Sequence, residues 1–192
     1  LPWRNGEKLH NAAFLLEGGR IAARRAKVEL PNYGVFDEKR VFDAGSPSGP
    51  VPFRGFRLGL MICEDWWLPA VSETLAETGA EMLLSINGSP FEDGKQTRRV
   101  TLAVERVVET GLPYVFAAQV CGQDEVVFDG ASFVLNADRS LAVQMPHFQE
   151  AITLTTWTRT ETGLVCTPQT LAPEPERYAL IYQAMMWGLR DY

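Results

Sequence analysis

Strand-like and helical segments alternate through the middle of the chain, and this alternation restricts the fold more than any other sequence feature. Apolar runs at 56–62, 81–86 and 113–120 have the length and composition of buried strands. Between them, the apolar residues of 70–79 and of 96–109 recur at helical spacing. A strand–helix–strand–helix–strand order predicts a layered α/β domain.

Hairpin patterns flank this central region. Two extended runs at 9–16 and 20–28 surround a Gly-Gly turn, which favours a β-hairpin. Runs at 126–135 and 141–145 are expected to pair across a short polar turn, and 151–157 is expected to add another strand. Antiparallel hairpins beside the βαβ pattern predict mixed rather than purely parallel sheets.

Charge and cysteine content exclude some classes of function. The 192 residues carry a net charge of -6, whereas a sequence-nonspecific nucleic-acid binder needs a basic surface to neutralise phosphates. No apolar run approaches the roughly 20 residues that span a bilayer. The three cysteines have no metal-ligand spacing, and we interpret them as reduced thiols of a cytoplasmic protein.

Two residues at predicted strand ends carry chemistry. Cys63 ends an apolar strand and is followed by two carboxylates, at the kind of sheet edge where ligands bind in α/β proteins. Its thiolate would need a nearby base or cation, and Lys27, which ends another strand, supplies a charge that can stabilise an oxyanion. Considered singly, a buried structural cysteine and a solvated lysine are the commoner alternatives. Neither His10 nor His147 is placed as an obvious base.

Several separate motifs occur in a specific order along 3–157. These motifs are Lys27–Glu38, Ile62–Asp65, Asn87–Pro90, Gly122–Glu125 and Phe128–Phe133. Together they resemble the nitrilase superfamily, and more closely the N-terminal glutaminase (glutamine amidotransferase) domains of glutamine-dependent NAD synthetases. Each motif alone would be weak, whereas their combination in this order is specific.

The resemblance implies an αββα four-layer sandwich with mixed sheets and a Glu-Lys-Cys catalytic triad. Cys63 matches the nucleophile and Lys27 matches the lysine of the triad. The residues expected to contact the substrate are Tyr33, Glu64 and Ser89. Glu38 is either an auxiliary carboxylate of the site or a solvated loop acid.

The resemblance also implies that the chain is truncated at both ends. The triad glutamate has no match here and is expected upstream, with the first strand and helices of the fold. Residues 1–167 are interpreted as a partial glutaminase (CN hydrolase) domain. Residues 168–192 are interpreted as a linker and the start of a helix that leads to an absent synthetase domain.

The implied activity is hydrolysis of the glutamine side-chain amide through a cysteine thioester. The ammonia would serve ATP-dependent synthesis of NAD from deamido-NAD by the adjoining synthetase domain. No cofactor and no metal is expected in this chain, because ATP and magnesium belong to that domain. Glutamine is the expected small-molecule substrate, and the resemblance implies a homo-oligomer, with neither nucleic acid nor membrane as a partner.

Two alternatives remain open at the level of sequence. A stand-alone nitrilase-type amidase would use the same cysteine and lysine on another amide or nitrile. A chain without the triad glutamate could instead be an inactive assembly module. Comparing glutamine with simple aliphatic amides as substrates separates the first alternative from the glutaminase.

Overall fold

The computed structural model describes all 192 residues and divides into two compact units. The first unit comprises residues 1–86 and the second comprises residues 87–192. Each unit combines antiparallel strands with a helix, and parallel pairing also occurs in the first. The predicted α/β class with mixed sheets is confirmed.

The first unit begins with a three-stranded antiparallel sheet in the order β1–β2–β3. Its strands are β1 (Pro2–Asn5), β2 (Lys8–Glu17) and β3 (Arg20–Ala26). Gly18 and Gly19 make the turn between β2 and β3 with φ values of 56° and 74°. Glycine adopts this left-handed conformation without the steric cost of a Cβ atom. The predicted hairpin is therefore confirmed.

The second half of this unit is a βαβ arrangement with an added antiparallel strand. Its elements are β4 (Val51–Phe53), β5 (Phe56–Ile62), α1 (Pro69–Glu77) and β6 (Met82–Asn87). Strands β5 and β6 are parallel, and α1 connects them while burying Val71 and Leu75, one turn apart. Pro69 begins α1 at a position where its missing N–H has no helical partner to lose.

The second unit contains two helices and seven strands. These are α2 (Lys95–Thr110), β7 (Tyr114–Ala118), β8 (Val120–Gln123), β9 (Val126–Asp129), β10 (Phe133–Leu135), β11 (Leu141–Gln144), β12 (Trp157–Thr160), β13 (Gly163–Cys166) and α3 (Arg177–Asp191). Strand β10 lies between β7 and β11 and pairs antiparallel with both. The pairs β8–β9 and β12–β13 are separate antiparallel hairpins. Helix α2 ends as predicted at Gly111, which has a φ of 68° and donates to the Val107 carbonyl.

Two strand predictions in this unit are wrong. Residues 126–135 do not form one strand, because Gly130 and Ala131 have φ values of 69° and 49° and turn the chain between β9 and β10. The expected strand at 151–157 is also missing. Residues 151–156 have no regular structure, and the chain enters a strand only at Trp157.

Helix α3 packs closely against the β8–β9 hairpin at Gly122. The Gly122 N–H donates to Asp191 Oδ2 at 2.7 Å. A Cβ atom at Gly122 would lie 2.8 Å from the Trp187 carbonyl oxygen and 3.1 Å from the Gly188 Cα. The helix and the strand therefore meet backbone to backbone, at a distance that only glycine permits.

No helix of the structure has both the length and the apolar character needed to cross a bilayer. The longest, α2, has 16 residues.

Candidate active site

Cys63 lies immediately after β5, at the first position of a short 3₁₀ helix, Cys63–Trp66. Its φ is 47°, in the left-handed region that costs an L-residue roughly 1–2 kcal/mol. A non-glycine residue keeps such a backbone only where its surroundings enforce it, and these residues cluster at functional sites. The residue is 8% exposed and packs with Ala13 and Ile62.

The carboxylate of Asp65 enforces this turn. Its Oδ2 accepts from the N–H of Ile62 at 2.9 Å, and its Oδ1 accepts from the N–H groups of Val28 and Glu29 at 2.9 and 2.8 Å. Burial raises the pKa of the Asp65 carboxyl, and the three backbone hydrogen bonds and the charge of Lys27 offset part of this rise. One buried side chain thus connects the end of β5 to the segment that follows β3.

Lys27 is almost completely buried, with 1% of its surface exposed. Its Nζ donates to both carboxylate oxygens of Glu38, each at 2.8 Å, and 20% of the Glu38 side chain is exposed. Backbone hydrogen bonds hold Lys27 on both sides, from its N–H to Asn11 and from the Gly45 N–H to its carbonyl, each 2.7 Å. The alternative of a solvated lysine is therefore wrong, and Glu38 is the direct counter-ion of Lys27.

Tyr33 and Glu64, which both lie in the first unit, are hydrogen-bonded to each other. The Tyr33 hydroxyl donates to Glu64 Oε1 at 2.8 Å, and more than half of the tyrosine is exposed. The loop of Tyr33 is folded on itself, because the N–H of Phe36 donates to the Tyr33 carbonyl at 2.9 Å. Since Glu64 directly follows Cys63, this hydrogen bond brings the loop after Lys27 to the residue next to the thiol.

Ser89 lies in the second unit, where it is 5% exposed. Nη2 of Arg99, from α2, donates to the Ser89 carbonyl at 2.9 Å and to its Oγ at 3.3 Å. The same nitrogen donates to the Pro90 carbonyl at 3.3 Å. The loop that carries Ser89 is therefore held by one buried guanidinium.

Arg99 belongs to a buried ionic network of the second unit. Its Nη1 donates to both oxygens of Asp129 at 2.9 and 3.0 Å, and His147 Nδ1 lies 3.2 Å from Asp129 Oδ2. His147 Nε2 lies 3.2 Å from Glu174 Oε2. Burial alone would raise the pKa of Asp129, but the hydrogen bond with His147 and the charge of Arg99 lower it. Burial likewise opposes the rise in the pKa of His147 that its two carboxylate neighbours produce.

The surroundings of His10, Cys121 and Cys166 indicate structural rather than catalytic roles. His10 is buried and its Nδ1 lies 2.7 Å from the Asp43 carbonyl oxygen. Burial raises the pKa of the thiols of Cys121 and Cys166, which disfavours the reactive thiolate. No group of three or more His, Cys, Asp or Glu side chains is arranged to hold a metal ion.

Asp65 and Arg99 organise the candidate residues, and neither stood out in the sequence. Asp65 was visible only as one of two carboxylates after Cys63, because its partners lie 36 and 37 residues away. Arg99 shares a buried helix face with Ala103 and Val107, at i+4 and i+8. A charged residue on an otherwise apolar stripe was the signal that could have identified it.

The sequence matches a known protein family. The carbon-nitrogen hydrolase family model matches residues 1–165. The glutamine-dependent NAD(+) synthetase of Rhodobacter capsulatus is 44% identical over 191 residues, which are 100% of this chain and 35% of that protein. The chain thus spans about a third of the length of the curated relatives it matches.

Solved structures agree with this match. The glutamine-dependent NAD+ synthetase of Acinetobacter baumannii, in complex with ADP, superposes with a TM-score of 0.91 at 35% identity, covering 100% of this chain and 36% of that one. An amidase from Nesterenkonia sp. AN1, with acrylamide added at its active-site cysteine, has a TM-score of 0.63 at 26% identity, covering 76% and 57%. Since the family model spans most of the sequence, the chain belongs to the carbon-nitrogen hydrolase family.

Proposed function

We propose that this chain is the glutaminase part of a glutamine-dependent NAD synthetase. In this proposal it hydrolyses the side-chain amide of glutamine and releases ammonia for an adjoining synthetase domain. The observation that carries the proposal is the Cys63 turn, held through Asp65 to the segment of the buried Lys27, in a chain of this family. The names of the relatives in Rhodobacter and Acinetobacter support glutamine as the substrate.

The proposed reaction begins with attack of the Cys63 sulfur on the amide carbon of glutamine. The oxyanion is held by the Lys27 ammonium and by the backbone N–H of Glu64, the residue after the nucleophile. The thiol proton passes through a general base to the leaving nitrogen, which departs as ammonia. Water then hydrolyses the γ-glutamyl thioester to glutamate and restores the thiol.

The general base of this scheme is a glutamate, for which the chain offers no matching position. Glu38 is engaged by both of its oxygens with Lys27, which suits it to hold the lysine rather than to accept a proton from Cys63. Tyr33, Glu64 and Ser89 complete the proposal as contacts to the amino-acid end of glutamine. Of these, the paired Tyr33 hydroxyl and Glu64 carboxylate present polar atoms suited to a zwitterionic substrate.

The wider assignment is part of the same proposal, and the names of the relatives support it. In this proposal residues 1–167 are part of the glutaminase domain, and 168–192 are a linker and the start of a helix that leads to the synthetase domain, which uses ATP and magnesium. The irregular stretch before α3, which begins at Arg177, agrees with this boundary. A homo-oligomer in the cytoplasm completes the proposal.

The test uses the full-length polypeptide that contains this chain. An electrophilic glutamine analogue should add one adduct, mapped by mass spectrometry to Cys63, and should abolish ammonia release from glutamine. Cys63→Ala should remove both the adduct and glutamine hydrolysis, while Cys121→Ala, the matched control, retains them. Hydrolysis of glutamine by the Cys63→Ala variant would refute the proposal.

A second candidate is an amidase acting on other amides, which the likeness to the Nesterenkonia enzyme favours. It predicts that simple aliphatic amides such as propionamide are hydrolysed better than glutamine. A higher kcat/KM for glutamine rejects this candidate, because the two activities would share Cys63 and Lys27 but not the contacts to an amino-acid group.

A further inference from the structure

We infer that Asp65 is a positioning residue that sets the lysine-bearing segment against the nucleophile-bearing turn. The inference rests on the proposed function, in which Lys27 and Cys63 act on one substrate. Its basis is that a single buried carboxylate binds the backbone directly after the lysine and directly before the cysteine.

On the side of Lys27, two adjacent backbone N–H groups donate to Asp65. Val28 and Glu29 follow Lys27 directly, and both of their N–H groups point to Asp65 Oδ1, at 2.9 and 2.8 Å. Strand β3 has ended at Ala26, so no sheet ladder holds this stretch. The carboxylate replaces the missing strand partner and directs the chain as it leaves Lys27.

The cysteine side consists of one donor. Asp65 Oδ2 accepts from the N–H of Ile62 across the 3₁₀ turn, as the third residue of a helix does in the backward half of a capping box. This bond closes the turn in which Cys63 has a φ of 47°. Asp65 is 3% exposed, so bulk water does not replace a lost acceptor without a change in structure.

Asp65 serves both groups of donors because a carboxylate has two acceptor oxygens, one for Val28 and Glu29 and one for Ile62. An asparagine has one acceptor oxygen, so in either orientation of its amide it serves the Val28–Glu29 donors or the Ile62 donor, but not both. Asp65→Asn therefore releases one side of the connection while keeping the volume of the side chain. Asp65→Ala releases both.

Steady-state hydrolysis of glutamine by the full-length protein tests the inference. We expect kcat to fall about tenfold in Asp65→Asn and about a hundredfold in Asp65→Ala, because small displacements of reacting groups cost rates of this order. KM should remain nearly constant, since the substrate contacts of Tyr33 and Glu64 are not removed. A kcat for Asp65→Asn equal to that of the wild type would overturn the inference.

The matched control is Asn136→Ala in the second unit. Asn136 is also buried and also binds two backbone groups, donating to the Cys166 carbonyl at 3.1 Å and accepting from its N–H at 2.8 Å. It should lower the melting temperature without changing kcat. If it lowers kcat as much as Asp65→Asn does, general destabilisation explains both variants and the inference fails.

A second readout does not depend on glutamine. The rate of Cys63 alkylation by iodoacetamide is followed against pH, with the modified residue identified by mass. Losing the negative charge of Asp65 would by itself shift this profile to lower pH, because a nearby anion disfavours a thiolate. In the proposed site, moving Lys27 farther from the thiolate shifts the profile to higher pH, and this upward shift is the expected result for Asp65→Asn.

The two readouts separate the inference from the proposed function. If the wild type does not hydrolyse glutamine but the alkylation profile of Asp65→Asn moves upward, the proposed function fails and the positioning role stands. If glutamine is hydrolysed and the profile of Asp65→Asn moves downward or not at all, the positioning role fails and the proposed function stands.

Discussion

Each unit of the molecule is organised around one buried aspartate, and the two aspartates are stabilised in different ways. Asp65 in the first unit accepts only from neutral backbone N–H groups. Asp129 in the second unit accepts from the guanidinium of Arg99 and lies against the ring of His147. The pKa of Asp65 is raised by its burial, whereas the pKa of Asp129 is lowered by its charged neighbours in spite of its burial.

The difference separates two uses of a buried carboxylate. Backbone donors have fixed positions along the chain, so Asp65 determines the course of the backbone directly after Lys27 and directly before Cys63. Charged side chains instead compensate the charge of Asp129, and they join a helix, a loop and Glu174, which lies in the irregular stretch before α3. We therefore expect loss of Asp65 to affect rate most, and loss of a partner of Asp129 to affect stability most.

The largest effect is expected for Arg99→Met. It leaves Asp129 ionised and buried, and it leaves the Ser89 carbonyl without its donor. Removing one partner of a buried ion pair costs about 3–5 kcal/mol. Chemical denaturation measures this loss in the free energy of unfolding. Thr101→Ala, at an exposed position of the same helix, is the control and should change it by less than about 0.5 kcal/mol.

The next largest effect concerns the contributions of Asp129 and Asp65 to stability, which depend on pH in opposite directions. Asp129 has a folded pKa below the ordinary value of 3.8, so its contribution to stability is present above that pH and is lost as pH falls through the folded pKa. Asp65 has a folded pKa above 3.8, so its contribution is fully present in acid and declines as pH rises through that folded pKa.

Asparagine variants measure this contrast. We expect Asp129→Asn to cost about 2–3 kcal/mol at neutral pH, because a buried charged donor loses its acceptor, and the cost should shrink in acid. The cost of Asp65→Asn should grow as the pH falls. Equal pH slopes for the two variants in denaturation experiments would contradict the comparison.

A smaller effect is expected for His147→Gln. The folded pKa of His147 is raised above 6.5, so the stability that its charged form contributes is fully present below pH 6.5 and is lost as pH rises through the folded value. His147→Gln should lower the free energy of unfolding by about 1–2 kcal/mol below pH 6.5, and by less above the folded pKa. His10→Gln is the control, because His10 contacts a neutral carbonyl rather than a carboxylate. A pH-independent loss for His147→Gln would show that its charge has no part in the network.

The smallest effect is expected for Glu174→Gln. This carboxylate lies 3.2 Å from His147 Nε2, but 57% of its side chain is exposed. Exposed ion pairs contribute little, so the variant should lose no more than about 0.5 kcal/mol, and less at high salt. A loss as large as that of His147→Gln would mean that Glu174 belongs to the buried network, contrary to its exposure.

Much of the fold was predictable because local patterns determine it. The observed bounds of β5, Phe56–Ile62, are those expected from its apolar run, and the Gly18-Gly19 turn indicated the first hairpin. The break between β9 and β10 was not predictable from periodicity. Gly130 gives only a weak local signal, and Ala131 takes a positive φ that its own preferences disfavour.

The site was predictable in part and for a different reason. Lys27 and Cys63 were singled out through motifs, since nothing in the residue type of a lysine predicts 1% exposure. The hydrogen bonds from Val28 and Glu29 to Asp65 join segments more than 35 residues apart, and no local pattern encodes such contacts. Likewise, the ion pair of Arg99 with Asp129 joins residues 30 positions apart.

The close contact at Gly122 has a consequence for how α3 can diverge. At this point the helix approaches β8 through main-chain atoms and one Asp191 hydrogen bond, so the approach does not depend on the side chains of its outer surface. That surface carries large exposed residues, among them Tyr178, Met185 and Leu189. Substitutions there leave the contact at Gly122 unchanged, whereas any side chain larger than hydrogen at position 122 would push the helix and the strand apart at this point. One face of α3 is thus free to vary while the other is held by a residue without a side chain.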